Sequence, residues 1–190
     1  MIYLAAMLSM MIGYTSAQGV NFSFTLLPAP ATKEFKEAYA FASQKGITTQ
    51  PTLQQADMEG KLLRSHMAKM LANYATNALH LSADTGKNCH FDDLAGQSEE
   101  IKDSIILACQ LGIMGVGITS FTPEGRVTRA EFWTSLSRML YGNVYNDGTE
   151  FYSHHLEILK EKGIITSSDP DLQELRGYVM IMLMRADTKK

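Results

Sequence analysis

One pattern recurs three times in this chain, and it narrows the possible folds more than any other feature. An amphipathic stretch runs to a Gly-Ile pair, a loop follows, and an Arg then opens a second apolar stretch. The first stretches end at Lys45-Gly46-Ile47-Thr48, Leu111-Gly112-Ile113-Met114 and Lys162-Gly163-Ile164-Ile165. The arginines are Arg64, Arg129 and Arg176, placed 18 (46 to 64), 17 (112 to 129) and 13 (163 to 176) residues beyond the glycine. Repeats of this length imply units that cannot bury their apolar faces alone and must stack on one another. The expectation is an all-α domain of three helix-loop-helix repeats, over residues 33–85, 89–142 and 149–186.

Local chemistry agrees in every unit. Phe35, Ala38, Tyr39 and Ala42 fall on one helical stripe, as do Ile101, Ile105, Ala108 and Gly112, and then Tyr152, His155, Leu156 and Leu159. Each stripe stops at a glycine, which accepts the left-handed backbone that a helix end commonly needs. Ser98 stands where an N-cap belongs, ahead of Glu99 and Glu100, whose charge suits the positive end of a helix. The second stretches are equally patterned. Thr128 and Glu131 form a capping box before Phe132, Leu136, Met139 and Leu140, and unit one offers Met67, Met70, Leu71 and Tyr74. Tyr178–Met184 is apolar throughout, so periodicity leaves strand and helix open. Alignment with the other units makes it a helix buried nearly all round. Many of the 12 methionines lie in these runs, where flexible thioethers fill gaps between helices.

The ends and the cysteines bear on compartment. Residues 1–17 are apolar to Ile12 and close on Thr15-Ser16-Ala17, which reads as an export signal with a small-residue cleavage site. No Lys or Arg precedes the apolar run, so a buried first helix is the alternative. The run is short for a spanning helix, which needs about 20 apolar residues. Residues 18–32 contain Pro28-Ala29-Pro30 and read as a linker. In an oxidising compartment, Cys89 and Cys109 are expected to pair, tying the segment before a helix to that helix's last turns. The other reading is two buried thiols. No metal-ligand spacing accompanies them. The net charge of −3 gives no reason to expect a nucleic-acid partner.

Unit two carries a longer signature. Phe91-Asp92-Asp93-Leu94, then Gly112-Ile113-Met114-Gly115, Phe121-Thr122-Pro123 and Val127-Thr128-Arg129-Ala130-Glu131-Phe132 closely resemble an S-layer homology repeat. Units one and three keep only the frame, with Leu63-Arg64-Ser65-His66 and Leu175-Arg176-Gly177-Tyr178 in place of the full motif. The resemblance covers roughly residues 33–186 and is specific from Phe91 to Leu140. It implies three repeats packed as a pseudo-threefold bundle, in a non-catalytic module at the cell surface that holds an acidic wall polysaccharide in grooves between repeats, without a cofactor. It further implies that Arg129, and Arg64 and Arg176 by repeat position, meet the ligand's negative charge, with Asp93 of the Phe-x-Asp element beside them.

A guanidinium matches a carboxylate in a bidentate fork, and amide donors at a helix start would reinforce anion binding. The competing reading has these arginines bracing the core through carboxylates or loop carbonyls. Family repeats commonly carry a Trp near the start of the first helix. Here Gln97-Ser98 fills that region, and Trp133 sits beside Phe132 instead. Trp133 therefore offers either a stacking surface for a sugar ring or core packing. No hydrolase, nucleotide-binding or metalloprotease motif is present. His154 and His155 point about 100° apart on a helix and suit no shared metal. Asn146-Asp147-Gly148 reads as a turn joining units two and three. A second functional reading is a structural or adaptor protein that uses the bundle for protein contacts or self-association.

Overall fold

The computed structural model describes residues 32–189; the export-signal and linker readings lie outside these residues apart from Thr32. Six helices form: α1 (Lys33–Gln44), α2 (Arg64–Asn77), α3 (Glu99–Gln110), α4 (Arg129–Tyr141), α5 (Ser153–Glu161) and α6 (Arg176–Asp187). The chain is all-helical: among the described residues strand pairing is confined to three isolated bridges. No helix among them is long and apolar enough to cross a membrane.

The first limb of each repeat, α1, α3 or α5, ends in the same way. Gly46, Gly112 and Gly163 take φ of +64°, +77° and +64°. That left-handed turn lets the following isoleucine bond back into the helix, from Ile47 to Ala42 O, Ile113 to Ala108 O and Ile164 to Leu159 O. All three isoleucines are buried, so each helix end is fixed by a hydrogen bond and by an apolar anchor. Each second limb begins at its arginine. At Thr128 the capping box forms, with Thr128 Oγ1 accepting from Glu131 N–H and Glu131 Oε2 accepting from Thr128 N–H. Leu63 and Leu175 cap α2 and α6 without a side-chain bond. Ser98 holds the N-cap position of α3, yet its hydroxyl makes no capping bond.

Packing between repeats is cyclic. α1 lies on α6, α3 on α2 and α5 on α4, so every first limb covers the second limb of a neighbouring unit. At the centre, three backbone bonds close a ring: Leu62 N–H donates to Glu174 O, Glu174 N–H to Val127 O, and Val127 N–H to Leu62 O (2.8, 2.9 and 3.1 Å). Leu62 and Val127 are buried beside it.

The same interlock satisfies the helix starts, where the first amides lack intrahelical partners. Arg64 and Ser65 N–H donate to Gly125 and Pro123 O, Arg129 and Ala130 to Leu172 and Pro170 O, and Arg176 and Gly177 to Gly60 and Met58 O. The apolar run of α6 is helical and buried from Val179 to Leu183, with only Tyr178 well exposed at 41%. Cys89 and Cys109 form a disulfide that fastens the chain before α3 to its last turn.

Gly177 shows how tight the interlock is. A Cβ there would stand 2.7 Å from Met58 O, the carbonyl to which its own amide donates. Gly177→Ala gains helix propensity but forces this contact apart. It should lower the unfolding free energy by about 1–2 kcal/mol in chemical denaturation.

Candidate functional site

Three cavities follow the repeat. Each is lined by the arginine that opens one unit's second limb, by the loop after the Gly-Ile turn of a neighbouring unit, and by that neighbour's own second limb. The grooves are equivalent in backbone and different in charge.

In the Arg129 groove, Arg129 Nη1 donates to Ser167 Oγ at 2.8 Å. Its Nε lies 3.9 Å from Glu174 Oε1, and its guanidinium carbon is 5.7 Å from the Tyr178 ring centroid. Arg185 pairs with Glu34 at 2.6 Å in the same cavity of about 280 Å³. Two cations thus face two carboxyl groups. Trp133 borders this cavity but is 1% exposed, so it is core packing and offers no open face for a sugar.

The Arg176 groove is also balanced internally. Arg176 Nη1 lies 3.1 Å from Asp57 Oδ2, and Lys69 Nζ lies 2.7 Å from Glu100 Oε1. Burial, then the charge of Arg176, holds His66 below its ordinary value, so it adds no cation at neutral pH. Arg129 and Arg176 each lie within 4.0 Å of a carboxyl group inside their grooves.

The Arg64 groove differs. Arg64 Nε donates to Phe121 O at 2.8 Å, with the guanidinium carbon 5.0 Å from the Phe121 ring centroid. Lys87 Nζ donates to Gln110 O at 3.0 Å, and Arg138 Nε to Asn146 Oδ1 at 2.8 Å. All three cations line one cavity of about 540 Å³, and none has a carboxylate within 4.0 Å among the described residues. The one acid in the lining, Glu131, is engaged in the capping box. Thr134, 3% exposed, lines the same cavity with a hydroxyl that has no hydrogen-bond partner. Val116, Ile118 and Phe151 form an exposed apolar part of the lining.

Asp93, expected beside the arginines, lines none of these three cavities. Its carboxylate accepts from Ser120 Oγ, Phe121 N–H and Thr122 N–H at 2.8, 2.9 and 2.6 Å. Desolvation pushes this acid upward, but the three donors outweigh it and the net shift is downward. Asp93 shapes the loop whose Phe121 carbonyl holds Arg64. A second expectation also needs correction: the first two amides of α2, α4 and α6 donate to neighbouring loop carbonyls, so they do not reach a ligand.

His155 is buried, with Nδ1 2.9 Å from Ser137 Oγ and Nε2 3.0 Å from Asn146 Oδ1, while His154 contacts Asp147 toward solvent. Lys87, Arg138 and Thr134 were not singled out from sequence. A signal existed for two of them, because Glu131, Thr134, Ser135 and Arg138 fall at i, i+3, i+4 and i+7, a polar stripe on α4. No protein-family model matches the chain, and no curated protein matches it either.

Glu174 carries a pH dependence. Burial pushes its carboxyl up to about 7, against smaller downward effects from Leu175 N–H and Arg129. A raised folded value means the associated stability is complete below the unfolded value near 4.5 and is lost as pH climbs through about 7. The loss should amount to about 3 kcal/mol. Glu174→Gln should flatten the stability profile over that window and exceed the parent at pH 8. Equal slopes in parallel denaturation series would count against this account.

Proposed function

We propose that this chain is a non-catalytic attachment module, of the kind its resemblance to S-layer homology repeats implies, that binds an acidic polysaccharide of the cell surface. The binding site is the Arg64 groove. One observation carries the reading: of the three equivalent clefts, only this one gathers three cations that meet neutral acceptors alone. An anionic polymer supplies the missing counter-charge, and each guanidinium can still offer a paired donor edge to a carboxylate. Arg129, bonded to Ser167 and facing Glu174, and Arg176, paired with Asp57, serve as architecture.

The strength expected of such a site is modest. A sheltered charge-assisted hydrogen bond contributes about 1.5–3 kcal/mol, and an exposed one under about 1 kcal/mol. Useful retention on a wall then depends on several modules or several polymer segments acting together.

A second reading draws support from the same cleft. Val116, Ile118 and Phe151, 56%, 42% and 55% exposed, add apolar surface that an acidic protein segment would cover. In that case the chain is an adaptor at the cell surface.

The two readings separate by substitution and ligand. Arg138→Ala should weaken binding to purified acidic wall polysaccharide about tenfold, with unchanged circular dichroism and melting. Arg129→Ala, judged on folded protein, should change it less than about threefold. Polysaccharide binding that is insensitive to Arg138 overturns the groove assignment. Capture of an acidic protein segment, lost in Phe151→Ala while polysaccharide is ignored, would establish the adaptor.

A further inference from the structure

We propose that the Cys89–Cys109 disulfide positions Lys87 as a ligand-contacting cation of the Arg64 groove, so that anion affinity there depends on the oxidised bond. The choice of ligand rests on the attachment reading; the positioning of Lys87 does not.

The segment that carries Lys87 turns on its own bonds to Asp84 and is tied to α3 by few contacts besides the disulfide. Residues 84–90 are exposed except for Lys87 and Cys89, which are half-buried. Their direct bonds to α3 converge on one carbonyl, Gln110 O, which accepts from Asp84 N–H at 3.1 Å and from Lys87 Nζ at 3.0 Å. Gln110 directly follows Cys109, the residue to which Cys89 is bonded. The disulfide thus clamps the segment at the spot where the lysine lands. Gly112 completes the seat: a Cβ there would stand 3.1 Å from Lys87 Nζ, so this glycine provides both the left-handed turn and room for the ammonium. With the bond intact, the ammonium lines the cavity shared with Arg64 and Arg138. With it cut, the segment's direct bonds to α3 are the two to Gln110 O, and water competes for both.

Cleavage has a balanced route. Cys109 is 1% exposed and Cys89 is half-buried, so the thiolate of a dithiol reductant attacks Cys89 Sγ. Cys109 leaves as a thiolate and takes a proton. The reductant's second thiol then displaces Cys89, and the reductant becomes a cyclic disulfide. Two electrons and two protons have passed to the protein.

Dithiothreitol and polygalacturonate serve as reductant and acidic probe for the full chain. Acylation of Lys87, followed by mass spectrometry, should run at least about threefold faster after reduction, with helicity retained. Polygalacturonate affinity should fall about three- to tenfold on reduction, and by the same factor in oxidised Lys87→Gln, which keeps the disulfide. Reduction of Lys87→Gln should then cause no further loss. Unchanged Lys87 labelling overturns the proposal, as does a reduced chain that binds as tightly as the oxidised one. If the oxidised chain ignores polygalacturonate, the affinity claim falls, while the labelling arm still decides whether the disulfide holds Lys87.

Discussion

Three backbone hydrogen bonds, Leu62 to Glu174, Glu174 to Val127 and Val127 to Leu62, set the geometry on which the rest of this structure depends. Each belongs to a short extended stretch just before a second limb. Around that ring, every second limb starts against a neighbour's loop, and every first limb lies on another unit's second limb. None of the three units could bury its stripe alone. The closed order also explains why the arginines, distant in sequence, occupy equivalent positions between units.

The interlock has a chemical consequence. Helix N-termini attract anions because their first amides lack partners. Here neighbouring carbonyls take those amides in all three units, which leaves anion recognition to side chains. Side chains diverged where the backbone did not. Asp57, Glu174 and Glu34 stand against the cations of two grooves, whereas the capping box of unit two ties up Glu131 in the third. Side chains on equivalent backbone thus separate two internally paired clefts from one cationic cleft.

Much of the fold was legible in the sequence because its signals are local. Gly46, Gly112 and Gly163 close helices by a conformation that only glycine takes easily, and Thr128 with Glu131 caps within four residues. Even the ambiguous run from Tyr178 to Met184 was resolved by aligning it with its sister units. The site was less legible, since charge balance is a property of contacts made across units. Arg129 carried the best motif, yet its partners Ser167 and Glu174 lie 38 and 45 residues away (129 to 167, 129 to 174). Asp93 and Trp133 looked like ligand groups by motif and type. Their roles, ordering the Phe121 loop and filling the core, depend on neighbours that spacing does not reveal.

The central claim is that one groove, not three, presents unneutralised positive charge. Isothermal titration of the oxidised chain with a short acidic oligosaccharide tests it most directly, repeated at several salt concentrations. One ligand per chain, with affinity that falls as salt rises, is the expected result. Three equivalent sites per chain, or a single site indifferent to salt, would contradict it.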